Sequence, residues 1–223
     1  MKTILISILA MLLLTVTFAT AQEMGKPSFG ILGGVNFQNL NGKDYSGDKL
    51  ENDMKVGYHI GVNIQVPIAP EFYFQPGLLL STKGAIDNGN SSKTTTSLSY
   101  IELPLNLVYK GLLGPGYVFL GVGPYLGYGI GGKVNVESGS NSDDYDIEFT
   151  NVVETTDPLI VPYYKAFDAG GNIFFGYEMA GGLFAQFNAQ FGMVNISPEY
   201  KILPDDKSSI KNTGFGLSLG YRF

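Results

Sequence analysis

Residues 55–66, KVGYHIGVNIQV, alternate between apolar and polar without a break. Val56, Tyr58, Ile60, Val62, Ile64 and Val66 fall on one face, and Lys55, Gly57, His59, Gly61, Asn63 and Gln65 on the other. A helix would scatter these apolar residues around its axis, whereas a strand collects them on one side. The closing stretch NTGFGLSLGYRF repeats the pattern. Thr213, Phe215, Leu217, Leu219, Tyr221 and Phe223 lie opposite Gly214, Gly216, Ser218, Gly220 and Arg222.

Six further segments read the same way: 29–38, 72–83, 99–110, 117–130, 167–178 and 183–194. Their second faces carry Asn36, Gln38, Gln75, Ser81, Lys83, Glu102, Asn106, Lys110, Asp168, Asn172, Glu178 and Gln190, among others. Eight strands of about 10–14 residues are each long enough to cross an outer membrane when tilted. The connections alternate in length. PIAPE (67–71), GLLGPG (111–116) and MAGG (179–182) are short, whereas 39–54, 84–98, 131–166 and 195–212 are long. Short turns at one end and long loops at the other describe an up-and-down barrel with periplasmic turns and extracellular loops. Both termini then lie on the periplasmic side.

Residues 1–21 carry Lys2, an apolar run from Ile4 to Leu14 and the small-x-small triplet Ala19-Thr20-Ala21. This reads as a cleaved signal peptide, with residues 22–223 as one barrel domain. The chain has no Cys and one His, which excludes disulfides, thiolate centres and multi-histidine metal sites. A net charge of −6 argues against nucleic-acid binding, which needs a basic surface to release counterions.

Alternation alone does not say which face meets water, because a soluble lipocalin-like barrel has the same period with its apolar side inward. Three features favour apolar-out. The polar face is mostly Gly, Asn, Gln and Ser, suited to a narrow lumen and short of the Lys and Glu of a wetted exterior. Aromatic residues gather near strand ends (Phe29, Phe37, Phe72, Phe74, Tyr109, Tyr128, Phe167, Tyr177), as in interfacial girdles. The last strand carries Tyr221 and Phe223, which resemble the terminal signal read by the barrel-assembly machinery. The expected fold is therefore all-β: an eight-stranded antiparallel up-and-down transmembrane β-barrel in a Gram-negative outer membrane, surrounded by its lipid.

The stretches SYIELPLNLVYK (99–110), GVGPYLGYG (121–129), FDAGGNIFFGYEM (167–179) and the GFGLSLGYRF terminus resemble the PorT-like, or porin-family, outer-membrane β-barrel proteins. The resemblance implies architecture far more than activity. One branch of that family looks like a secretion-system component, and no catalytic residue carries over.

Parity turns His59, Glu102, Asp168, Asn172, Glu178 and Arg222 inward, giving a polar and ionic lumen with a Glu178–Arg222 pair near the turn end. Eight strands leave a lumen that side chains fill, so a rigidifying plug is expected rather than a wide channel. A His59-based hydrolase is not expected, because the sequence reads as lacking a Gly-x-Ser-x-Gly elbow and His59 falls inside by parity, and the glycines at 121–129 lack the following helix of a phosphate loop. The run 141–148 offers oxygens but not the spacing of an EF-hand, and reads as a solvated acidic loop. No catalytic residue, metal or cofactor is assigned. The expected role is non-enzymatic, in recognition through the loops or docking of an envelope or secretion partner. The alternatives are a narrow pore, a lipid-modifying or hydrolytic enzyme, and a soluble ligand-binding barrel.

Overall fold

The computed structural model describes residues 25–89, 92–158, 160–203 and 205–223. The expected signal peptide at 1–21 lies outside these residues. Five long strands come first: β1 (Ser28–Lys43), β2 (Asp53–Ala69), β3 (Phe72–Asn88), β4 (Lys93–Leu113) and β5 (Gly116–Ser138). Short elements follow in β6 (Asn141–Asp146), β7 (Glu148–Phe149), β8 (Val152–Val153) and β9 (Tyr163–Tyr164). The chain then re-enters the main sheet with β10 (Phe167–Glu178) and β11 (Leu183–Gly192), followed by β12 (Glu199–Tyr200) and β13 (Ser209–Arg222).

Pairing runs β1-β2-β3-β4-β5 and β10-β11-β13-β1, and β5 also pairs with β10, so eight antiparallel strands close a ring. Closure gives every strand two neighbours and leaves no edge inside the wall. The turns at one end are tight. Gly114 at φ +62° opens the two-residue β4–β5 turn, the conformation in which glycine starts a hairpin that follows the strand twist.

The parity reading describes the wall. Ile60, Val62, Leu217 and Leu219 are more than half exposed on the outside. Asn63, Ser81, Asn106 and Ser218, on the opposite face, are buried within. Along β2 the outward apolar run from Val56 to Val66 spans about 33 Å, or about 25 Å once tilted, the height of a lipid-facing band. Aromatic pairs mark its borders. At the turn end, Phe72 meets Tyr109 and Tyr221 meets Phe223, with ring centroids 5.4 and 4.9 Å apart. At the other end Tyr128 stands opposite Phe167.

Two sequence expectations need correction. Residues 84–98 are not a long loop, because β3 runs to Asn88 and β4 starts at Lys93. Residues 141–146 are not a loop either, but a strand antiparallel to the end of β5. The reason is common to both. Above the lipid band the outward face of a strand meets water, so the outward positions in TTTS at 94–97 and SDDYD at 142–146 are polar and lose the alternation that betrays a strand lower down.

Candidate functional site

The lumen is filled in layers, described from the loop end to the turn end. At the loop end, Ile147 and Phe149 from the β5–β10 connection and Ile196 from the β11–β13 connection fold inward. They pack with Leu40, Ala85, Leu98, Tyr100 and Ile210. The two connections are tied together by the β8–β12 pairing and by Lys201 Nζ, 2.7 Å from Glu154 Oε1. That hydrogen bond holds the Lys201 ammonium above its usual pKa.

Beneath this cap lies a buried ionic cluster. Lys83 Nζ stands 2.7 Å from Glu102 Oε1 and 3.0 Å from Asp168 Oδ2, all three side chains being almost wholly buried. The ammonium also sits 4.4 Å from the centre of the Tyr125 ring. Asp168 Oδ2 accepts further hydrogen bonds from Tyr125 Oη at 3.1 Å and Asn212 Nδ2 at 2.9 Å. Gln190 Nε2 donates to Glu102 Oε2 at 3.1 Å. Two carboxylates in such a setting need this density of donors, since burying an unpaired charge costs several kcal/mol.

The middle of the barrel holds a chamber of about 80 Å³ lined mainly by amides and hydroxyls, polar and roomy enough for a few waters. His59 lines it. Its Nδ1 is hydrogen-bonded to Asn36 Oδ1 and its Nε2 to Ser218 Oγ, each at 2.7 Å. Ser218 Oγ also reaches Asn188 Oδ1 at 3.2 Å, and Asn36 Nδ2 donates to Ser81 Oγ. Asn172 lines the same chamber, donating to Asn106 Oδ1 at 2.6 Å.

Here the reading that no Gly-x-Ser-x-Gly is present needs correction. Gly216-Leu217-Ser218-Leu219-Gly220 does have Gly-x-Ser-x-Gly spacing, and Ser218 touches His59. The segment is nevertheless regular strand within β13. It lacks the sharp strand-to-helix turn that exposes such a serine to substrate. Ser218, His59 and Asn36 are each at most 5% exposed.

An apolar layer follows, made by Leu32, Val108, Phe119, Phe174 and Phe184 with Tyr73 and Leu79. The inward glycines make room for it. A Cβ at Gly121 would collide with the Phe174 ring, one at Gly220 with Phe184, and one at Gly176 with Phe119. Below, Glu178 takes Lys110 Nζ on Oε1 at 2.7 Å and Arg222 Nε on Oε2 at 3.1 Å. Arg222 also donates to Asn63 Oδ1 at 3.0 Å, and its guanidinium lies 5.4 Å from the Phe184 ring centre.

The six inward residues singled out in the sequence are therefore not one cluster. Glu178 and Arg222 meet near the turn end, Glu102 and Asp168 share Lys83 near the loop end, and His59 and Asn172 line the chamber between. Lys83 and Lys110, which parity also puts on the inward face, are the cations that complete both ionic groups, and only their cross-bore partners reveal that role. Tyr221 and Phe223 sit on the outer face, where both are exposed. Among the described residues, no group of three or more His, Asp or Glu side chains is arranged to hold a metal ion.

The sequence model of the outer membrane protein beta-barrel domain matches residues 20–197, most of the chain. The chain belongs to this outer-membrane β-barrel family. The barrel's exposed apolar belt is accordingly its lipid contact in a Gram-negative outer membrane. No curated protein matches the sequence. Among solved structures, the outer-membrane barrel resembles Ail, the attachment invasion locus protein of Yersinia pestis, crystallised with the heparin analogue sucrose octasulfate. The identity is 11%, covering 89% of this chain and 100% of that one, with a TM-score of 0.41. It also resembles the outer membrane protein OprG of Pseudomonas aeruginosa, at 9% identity over 90% of this chain and 97% of that one, with a TM-score of 0.41. Likenesses this distant carry no functional argument for the barrel described here.

Proposed function

We propose that this barrel is a non-enzymatic interaction protein of the outer membrane, with a lumen that serves as a rigid plug. Its loop end faces outward, its termini face the periplasm, and recognition belongs to the surfaces at its two ends. The observation that carries this reading is the stacking of the cap, the Lys83 cluster, the phenyl layer and the Glu178 cluster across the whole bore. The outward end offers the projecting β5–β6 hairpin and the tied loops. The turn end offers a docking face for an envelope or secretion partner, the role that the PorT-like resemblance implies. Tyr221 and Phe223 remain the proposed contact for the assembly machinery.

A narrow pore for ions or small solutes is the competing reading. It requires a continuous path, and the chamber at His59 lies between the buried Lys83 cluster and the phenyl layer. A hydrolytic reading gains the Ser218–His59 contact, but the hydroxyl has no route to a lipid substrate through a wall of paired strands. Planar-bilayer recording of the purified protein tests the plug. The expected trace shows no steady conductance, and a stable, large open level would overturn the reading in favour of a pore.

A further inference from the structure

The wall of the barrel has no edge, but the sheet that projects above it does. β5 pairs with β10 as far as Tyr128 and, from Lys133 on, with β6. β6 has β5 on one side and, among the described residues, no strand on the other. Gly139, at φ +60°, and Ser140 form the hairpin turn, which makes Ser138 and Asn141 a hydrogen-bonded pair. From there the bonding alternates along the antiparallel ladder. Asn141, Asp143 and Tyr145 turn their N–H and C=O groups towards β5, and Ser142, Asp144 and Asp146 turn theirs away. Among the described residues no other backbone group pairs with these three, and all three are exposed.

A bare edge invites pairing with whatever strand meets it, and charge is a usual guard. Here the guard has one sign. β6 carries Asp143, Asp144 and Asp146 and no cation of its own. Asn135 Nδ2 donates to Asp144 Oδ1 at 2.8 Å, which holds that carboxylate in place at the edge. Lys133 Nζ on β5 stands 3.7 Å from Asp144 and 3.9 Å from Asp146, and all three side chains are more than half exposed. Exposed pairs at such distances contribute little, so the edge stays acidic. Two copies of β6 side by side would set aspartate against aspartate, which is destabilising.

A strand with Lys or Arg at every second position meets both demands at once. Its cations fall beside Asp144 and Asp146, which share one face of β6, and its backbone takes up the free N–H and C=O groups. In strand addition the main chain supplies the affinity and the side chains select the partner. We propose that the outer edge of β6 binds an extended, basic segment of another protein by adding it to the sheet as a further strand. This deepens the reading that recognition belongs to the outward end, and rests on it.

The test uses the full-length protein in phosphatidylcholine nanodiscs. The probe is a short dye-labelled peptide in which Lys alternates with Thr, read by fluorescence anisotropy. The expected result is saturable binding that disappears when Glu replaces Lys in the peptide. Methylating the peptide's backbone nitrogens removes its main-chain donors but keeps its charges, and should weaken binding at least about tenfold. Ser142→Pro should do the same from the protein's side. The N–H at 142 points away from β5, so proline suits this edge position and leaves the hairpin and all three aspartates in place. Asp144→Asn with Asp146→Asn should also weaken binding and flatten its dependence on salt. Equal affinity for the methylated peptide would mean attraction by charge alone and would overturn strand addition. So would no binding by the unmodified protein, or self-association that Ser142→Pro abolishes, which would give the edge to a second copy. Discs expose both ends of the barrel, so this readout is independent of orientation. Orientation is read separately in intact cells, where Asp144→Cys should react with an impermeant maleimide and Gly114→Cys should not. The reverse labelling would sink the outward reading, and the peptide's affinity in discs would still decide strand addition.

Discussion

Lys83→Met is expected to lower the stability of the folded barrel by about 3–5 kcal/mol, the usual cost of removing one partner from a buried ion pair. The ammonium serves two carboxylates at once, Glu102 at 2.7 Å and Asp168 at 3.0 Å. Without it, Asp168 keeps Tyr125 and Asn212 as donors, and Glu102 keeps only Gln190. Methionine keeps the unbranched chain as far as Cε and drops only the ammonium, so lost packing is a small part of the effect. The cost belongs to the orphaned charges, and neutralising them should return much of it. Lys83→Met combined with Glu102→Gln and Asp168→Asn is therefore expected to be more stable than Lys83→Met alone. Guanidinium unfolding in phospholipid vesicles, followed by heat-modifiable gel mobility, measures both. Equal midpoints for Lys83→Met and the unmodified protein would mean that the cluster is wet and carries little of the stability.

Leu219→Arg should cost about 2–4 kcal/mol in the same vesicles, because it places a guanidinium near the middle of the lipid-facing band. Leu219 is 66% exposed and lies halfway along the outward run from Phe215 to Phe223. The sign depends on the solvent. In a soluble barrel, a residue this exposed would meet water, and arginine there would change stability by less than about 0.5 kcal/mol. Unfolding midpoints in vesicles separate the two cases. A near-neutral substitution would remove lipid from the outer face.

Much of this was legible in the sequence because a strand's side-chain period is two. Parity alone placed His59, Asp168 and Lys83 inside and Ile60 and Leu217 outside. What parity does not provide is height around a sheared ring. Glu178 on β10 is hydrogen-bonded to neither neighbouring strand's charge but to Lys110 on β4 and Arg222 on β13, across the bore. No spacing along the chain announces such contacts. The phenyl layer was hidden for another reason. Phe119, Phe174 and Phe184 fall on the nominally polar face, and their places are made by glycines on other strands. The projecting sheet of β3 to β6 was missed because its alternation ends where lipid ends.

The most direct measurement compares spin labels at outward and inward positions of β2, β4 and β13 in bilayers. Single cysteines at Leu105, Leu217, Asn63 and Ser218 need no background removal, since the chain has none. Collisions with oxygen report lipid, and collisions with a nickel chelate report water. A lipid-facing belt requires labels at Leu105 and Leu217 to collide with oxygen and not with nickel. Labels at Asn63 and Ser218 should be shielded from both. Strong nickel collisions at Asn63 and Ser218, with Leu105 and Leu217 shielded, would contradict the barrel's placement in the membrane outright.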